Sequence, residues 1–155
     1  MRNLNIHKLQ ESLNKLCETL NSLYSINSGG CCYVAYLISK WLDRFGIDYQ
    51  LVIYDYKKRS TLDISYEVQN MRRGQSSCNS VSGSNSCEHY CLLIIGGGYV
   101  NRGDVTGLKQ YSISGITNKN IRWIYRTGYW NKMYNTRNNR VVKSMINSFF
   151  KNYEE

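Results

Sequence analysis

Two residues of this chain could together perform acyl-transfer chemistry: a cysteine at the start of a predicted helix and a histidine at the start of a predicted strand. Cys31 follows Gly29–Gly30 and precedes an apolar stripe with helical spacing. In the first turn of a helix, unpaired backbone N–H groups and the positive end of the dipole favour a thiolate. His89, one of two histidines, opens an apolar run. A thiol nucleophile and an imidazole base are the two halves of a cysteine hydrolase site.

Helical periodicity distinguishes Cys31 from its neighbour Cys32. Cys31 shares a face with the apolar residues of the stripe, and this face is expected to pack on the sheet, where a histidine could meet it. Cys32 lies about 100° around the helix. Cys31 is therefore the predicted nucleophile, with backbone N–H groups at Gly29, Gly30 and Cys32 available for an oxyanion. The alternative is that Cys31 is a small buried hydrophobic residue and His89 a satisfied core histidine.

Asn101 and Asp104 are the two candidates for the group that orients the imidazole through its second nitrogen. If the hairpin is regular and pairs Ile94 with Tyr99, Asp104 lies directly opposite His89. Asn101 would then lie nearer the turn and would need a bulge or a bent strand to reach the ring. A regular hairpin favours Asp104, and three consecutive glycines in the turn leave both candidates open.

The spacing of the other cysteines and histidine argues against a metal site. Cys87, His89 and Cys91 alternate along one predicted strand, about 6.6 Å apart, whereas zinc holds its sulfur ligands at about 2.3 Å. We expect neither a metal nor a cofactor. A disulfide between Cys78 and Cys87 is left open. His7 has polar neighbours on the first predicted helix and is expected to face solvent.

The elements that must position these residues follow from hydrophobic periodicity. Leucines three and four residues apart predict a first helix, with Asn3 or Asn5 as N-cap. The second helix runs from about Cys31 to Phe45, and Gly46 follows as a C′ residue. His89 to Ile95 is apolar on both faces and predicts a central strand. Further predictions are strands over 47–56, 62–68 and 111–113, a strand or helix turn over 121–125, a third helix over 137–153, and a mobile Ser/Asn-rich loop over about 73–86.

The length and composition predict one intracellular α+β domain over residues 1–155. No segment approaches the roughly 18 consecutive apolar residues of a membrane span. Residues 1–10 lack the continuous apolar stretch of a secretory signal. The six cysteines are therefore expected to be thiols in a reducing cytoplasm.

The net charge of +9 suggests an acidic partner. Although the chain contains 14 tyrosines, no run interleaves Arg and Tyr tightly enough to indicate a nucleic-acid motif, so we expect no nucleic-acid partner. The absence of proline, together with much Asn, Lys, Ile and Tyr, is typical of AT-rich coding sequences. A phage or low-GC bacterial origin, and for a phage the host cytoplasm, is the corresponding expectation.

Two segments resemble one known superfamily. The heptapeptide Gly29–Ala35 resembles the Gly-x-Cys-x-x-aromatic/aliphatic-Ala opening of the nucleophile helix in papain-like and transglutaminase-like cysteine proteins. His89, its apolar strand, the glycine turn and Tyr99–Asn101 resemble their second half. The resemblance covers about residues 27–104 and differs from the family pattern at Cys32, where a small residue is usual, and at Asn101, where Asp is commoner.

The resemblance implies a papain-like fold, with the nucleophile helix packed on a small antiparallel sheet and flanking N- and C-terminal helices. It implies that Cys31 is the nucleophile, His89 the general base and Asn101 the orienting residue. The implied activity is hydrolysis or acyl transfer at an amide or isopeptide bond of a protein or peptide. The alternative is a catalytically inactive papain-like phage protein that binds an acidic partner through a basic, tyrosine-rich surface.

Overall fold

A computed structural model describes residues 4–27, 30–55, 87–127 and 136–154. The predicted α+β class is confirmed: the described residues form four helices and one small antiparallel sheet. Several sequence-based predictions fall outside these ranges: the strand over 62–68, the loop over 73–86, the backbone N–H of Gly29 and the Cys78 half of the possible disulfide. The elements are α1 (Ile6–Tyr24), α2 (Cys31–Arg44), β1 (Tyr49–Asp55), β2 (Cys87–Ile94), β3 (Gly98–Val100), β4 (Lys109–Ile113), α3 (Asn118–Thr127) and α4 (Thr136–Lys151).

Helix α2 is the central helix and is buried around most of its circumference. The predicted bounds are confirmed, because Gly30 is the N-cap and Gly46 follows the helix with a φ of +69°. The α3 residue Asn118 donates to the carbonyl of Tyr36 at 2.6 Å. On another side, Trp41 donates to Asn147 of α4 at 2.8 Å. The sheet covers the remaining side, so the start of α2 is fixed against the strands.

The sheet has the strand order β3-β2-β1-β4, with every neighbouring pair antiparallel. Strands β1 and β2 are interior, which confirms the prediction that His89 begins a run in a central strand. Leu51 and Ile53 belong to the core shared with the helices, while Val52 and Tyr54 form a second cluster with Cys91 on the opposite face. Because both faces are covered, β1 is apolar at consecutive positions instead of alternating.

The hairpin between β2 and β3 has a register one residue away from the expected one. Ile94 pairs with Gly98 and Leu93 with Tyr99, and the ladder ends at Val100. The pairing of Ile94 with Tyr99, on which a position of Asp104 opposite His89 depends, is not formed, because the turn consists of residues 95–97, with Gly96 at a φ of +83°. Asp104 therefore lies beyond the end of β3 and has no ladder position opposite His89.

Side chains of α1 hold the outer edge of β3 in place. Gln10 and Asn14 both donate to the carbonyl of Tyr99, at 2.6 and 2.8 Å, and Asn14 accepts from the amide of Asn101 at 2.9 Å. A Cβ atom at Gly98 would lie 3.2 Å from Gln10 Nε2, so glycine permits this close approach. The two amide side chains take the place of a further strand at an exposed sheet edge.

The sequence predicts either a strand or a helix turn over 121–125, and the structure places this segment in α3. Thr117 precedes this helix, and its amide and hydroxyl both donate to Asn120 Oδ1, at 2.9 and 3.1 Å. Ile121 and Ile124 are buried while Arg122 and Arg126 are exposed, which is a helical pattern. The N-cap of α1 is Asn5, and the helix predicted over 137–153 is confirmed as α4. No helix among the described residues is long and apolar enough to cross a membrane.

The substitution Asn14→Ala is expected to lower the free energy of unfolding by about 1–3 kcal/mol, because it leaves the Asn101 amide without its acceptor. Urea denaturation measures the loss. Thr19→Ala, at an exposed position of the same helix, is the control and is expected to cost nothing, since alanine has the higher helix propensity. Equal effects of the two substitutions would contradict the role of Asn14.

Candidate active site

Cys31 is the first residue of α2 and faces the sheet, as its position in the apolar stripe predicts. Its side chain is 1% exposed. The sulfur accepts a hydrogen bond from the backbone amide of Tyr90 at 3.4 Å. Tyr90 lies beyond the last β2–β3 pair, at Leu92, so the sulfur occupies the sheet edge where β3 has ended. The thiol therefore lies beside the backbone of the residue that directly follows His89.

His89 is buried near the start of β2, with 6% of its surface exposed. Its Nε2 lies 2.6 Å from the carbonyl oxygen of Asn101. A carbonyl can only accept, so Nε2 must carry the proton, and in the neutral ring Nδ1 is the basic nitrogen. The contact therefore fixes both the orientation and the tautomer of the ring in the form that a general base requires.

Burial lowers the pKa of His89 below its ordinary value, and the hydrogen bond to the Asn101 carbonyl raises it by a smaller amount. Desolvation disfavours the charged imidazolium, whereas a carbonyl acceptor favours it. The net direction keeps the ring neutral near pH 7. A neutral ring can accept a proton from a thiol.

Asn101 orients His89 through its main chain. Its φ is +63°, a left-handed conformation that asparagine tolerates better than most residues. This conformation ends β3, and the Asn101 carbonyl bonds the His89 ring. The side-chain Nδ2 is buried and has no hydrogen-bond partner among the described residues. The resemblance pointed to this residue, and the bond is made by a backbone atom.

Asp104 is exposed and engaged in a local turn. Its Oδ1 accepts from the amide of Thr106 at 3.1 Å. Hydrogen bonds from the Thr106 backbone and side chain lower the pKa of the Asp104 carboxyl, so the group is ionised at neutral pH. Asp104 lines a cavity together with His89, and the predicted position directly opposite His89 is not formed.

The oxyanion candidates lie at the N-terminus of α2. Gly30 has no side chain to cap the helix, and Val34 donates to its carbonyl at 3.0 Å. The first N–H groups of a helix have no acceptor within it and point towards its N-terminal end. The Cys32 side chain is buried on the α3 side of α2, near Tyr125, away from Cys31's contact with β2.

Two further described thiols, those of Cys17 and Cys91, are poor nucleophiles. Burial raises the pKa of Cys17 and of Cys91 to about 12. Both thiols stay protonated at neutral pH. His7 is 66% exposed and lies 3.0 Å from Glu11, as expected for a solvent-facing residue. Within the described ranges, no three His, Cys, Asp or Glu side chains come together in a way that could hold a metal ion.

Two cavities adjoin the site. The first, of about 270 Å³, is lined by His89 and Asp104, and the second, of about 310 Å³, by Asn14 and Asn101. Sequence reasoning missed Asn14, although Gln10, Asn14 and Cys17 form a polar stripe at i, i+4 and i+7 along the apolar face of α1. The residues that the two cavities share are Asn27, Arg102 and Gly103.

No family model, curated protein or solved structure matches this chain. The described residues form an α+β protein in which Cys31 lies in the core between α2 and the sheet. His89 pairs with Tyr54 and precedes Cys91 by two residues, so its side chain shares with them the opposite face of the sheet.

Asn101→Gly is expected to keep the Nε2-protonated tautomer of His89, because glycine keeps both the carbonyl and the left-handed backbone. Asn101→Ala should lower the free energy of unfolding by about 1 kcal/mol relative to Asn101→Gly, because alanine is strained at a positive φ. Imidazole ¹⁵N NMR reports the tautomer, and urea denaturation the stability. Loss of the tautomer in Asn101→Gly would assign the orienting role to the side chain instead.

The depressed pKa of His89 makes stability depend on pH. Between its folded pKa and the ordinary 6.5, the unfolded chain binds more protons at this residue. The free energy of unfolding therefore rises with pH in this window and falls as the pH drops from 7 through 6.5. His89→Gln should remove this component of the slope in urea denaturation between pH 5 and 7.5, while the exposed His7→Gln should keep it. An unchanged slope in His89→Gln would contradict the assignment.

Proposed function

We propose that the protein is a papain-like cysteine hydrolase or acyl transferase that acts on an amide or isopeptide bond of a protein or peptide. The observation that carries the proposal is the 2.6 Å contact between His89 Nε2 and the Asn101 carbonyl. This contact places the ring proton on Nε2 and orients the ring. The basic nitrogen of the neutral ring is then Nδ1. The position of Cys31 adds support, because its sulfur accepts from the backbone amide of Tyr90, the residue directly after His89.

In the proposed reaction the Cys31 sulfur attacks the carbonyl carbon of the scissile bond while its proton passes to His89 Nδ1. The carbonyl oxygen becomes an oxyanion, stabilised by backbone N–H groups at the N-terminus of α2. His89 then donates the proton to the leaving amine as the C–N bond breaks, which leaves a thioester on Cys31. Water or a second amine, deprotonated by His89, attacks the thioester and regenerates the thiol.

The Asn101 carbonyl acts in each proton transfer of this scheme. It holds the Nε2–H and favours the imidazolium that forms when His89 accepts the thiol proton. This interaction partly offsets the burial that disfavours the same charge. Because Cys31 is 1% exposed, a substrate carbonyl reaches its sulfur only after the surrounding chain moves.

The proposed setting is a reducing cytoplasm, that of the host if the chain is phage-encoded. Support comes from the described cysteines, because Cys17, Cys31, Cys32 and Cys91 are not joined in disulfides. A nucleophilic thiol requires the reduced form. The proposal needs no metal or cofactor.

Iodoacetamide should label Cys31 below pH 7, with a rate that falls about tenfold or more in His89→Ala, since one unit of thiol pKa changes the thiolate fraction tenfold. Peptide mass spectrometry over a pH series measures each cysteine separately. Cys17 and Cys91 are internal controls, because their pKa of about 12 predicts little labelling below pH 9. His7→Ala is the matched control and should leave the profile of Cys31 unchanged.

If Cys31 labels no faster than Cys17 and Cys91, and His89→Ala has no effect, the hydrolase proposal is wrong. The competing function is then a catalytically inactive papain-like protein that binds an acidic partner. It is favoured by the burial of Cys31 and by the exposed cations Lys119, Arg122 and Arg126 on α3, a helix without acidic residues. Such binding would weaken with salt and would be lost when these three cations are replaced by glutamine.

A further inference from the structure

The cavity lined by His89 and the cavity lined by Asn101 share three residues and therefore adjoin each other. Arg102 lines both cavities, as do Asn27 and Gly103. Four of the lining residues are asparagines, at positions 14, 21, 27 and 101. We call the combined surface the asparagine groove. Its side chains present amide donors and acceptors, which are the groups that pair with a peptide backbone.

Two side-chain atoms at the groove lack a hydrogen-bond partner among the described residues. Asn101 Nδ2, on a residue that is 7% exposed, is an unpaired donor. Asn27 Oδ1 is an unpaired buried acceptor. Burying such atoms without a partner is costly, so their presence points to a ligand that supplies the missing groups. Once the two side chains turn toward the groove, this donor and this acceptor can pair with the C=O and N–H of a peptide.

Arg102 supplies a fixed positive charge where the cavities meet. Its Nε donates to the Tyr54 hydroxyl at 3.0 Å, and its guanidinium carbon lies 4.7 Å from the centre of the Tyr99 ring. These contacts hold the guanidinium in place without using its terminal nitrogens. Arg102 forms no ion pair with any residue that the structure describes.

The acidic residues of the groove lie away from its centre. Asp104 lines only the first cavity, where it accepts from Thr106, and Glu18 lines only the second. Arg102 is thus the cation at the junction between them. A carboxylate placed there could receive two parallel N–H bonds from the guanidinium.

We propose that the asparagine groove binds an extended peptide segment and that Arg102 selects an acidic side chain within it. This assignment names the substrate class for the proposed hydrolase and rests on that function only for the bond that is processed. Peptide binding itself does not require the thiol. The two proposals can therefore fail separately.

The test uses the full chain carrying Cys31→Ala and fluorescein-labelled, capped hexapeptide mixtures with one fixed central residue: Glu, Gln or Lys. Fluorescence anisotropy measures the affinity of each mixture. The Glu mixture should bind about fivefold tighter than the Gln mixture, the advantage of one partly exposed ion pair, and the Lys mixture more weakly still. The preference should decline in 0.5 M salt.

Two added substitutions separate the roles of Arg102 and Asn27. Arg102→Gln should reduce the ratio of the affinities for the Glu and Gln mixtures to about one, and Arg102→Lys should keep part of this ratio. The control is Arg126→Gln at an exposed position of α3, which makes the same change of net charge and should keep the whole ratio. Asn27→Ala should weaken all three mixtures by a similar factor and leave the ratio unchanged. A ratio that survives Arg102→Gln, or no binding of any mixture, overturns the proposal. The labelling of Cys31 is measured in protein that retains this cysteine, so the hydrolase proposal is tested independently of peptide binding.

Discussion

The backbone of Asn101 is the constraint on which the rest of the site depends. With its φ at +63°, the chain leaves the extended conformation immediately after Val100, so the β2–β3 ladder stops there. Its amide then bonds Asn14 on α1, and its carbonyl bonds His89. One residue therefore ends the strand, joins the sheet edge to α1 and fixes the tautomer of the histidine. A continuous strand at this position would direct the same groups into ladder bonds instead.

The end of β3 also explains where the thiol lies. The β2–β3 ladder ends at the pair of Leu92 and Val100, and beyond it the sulfur of Cys31 accepts the amide hydrogen of Tyr90 at 3.4 Å. Sulfur is a weaker hydrogen-bond acceptor than oxygen. A serine hydroxyl would be the better structural acceptor at this sheet edge. The thiol at this position therefore both accepts a backbone hydrogen bond and fills a buried site at the start of α2.

Local periodicity was sufficient to predict the helices α1, α2 and α4, the central strands and the orientation of Cys31, because each depends on spacing within one segment. The hairpin register could not be derived because the three glycines allow several turns, and Gly98 lies close to Gln10, which belongs to another element. For the same reason Asn14 was missed: its function depends on two backbone groups more than 80 residues away in sequence. Arg102 was missed because one arginine in a chain of net charge +9 carries no local signal.

The orientation of His89 by a carbonyl changes what position 101 must provide. When a side chain orients the imidazole, the residue type is fixed by its functional group. Here any residue able to adopt a left-handed backbone supplies the acceptor, so the choice between Asn and Asp at this position does not decide whether the base is oriented. The Asn101 side chain is then released for another purpose. Its Nδ2 is buried without a hydrogen-bond partner among the described residues, a cost that a peptide bound in the groove would relieve. In the proposed function, orientation of the base and recognition of the peptide therefore fall to different atoms of the same residue.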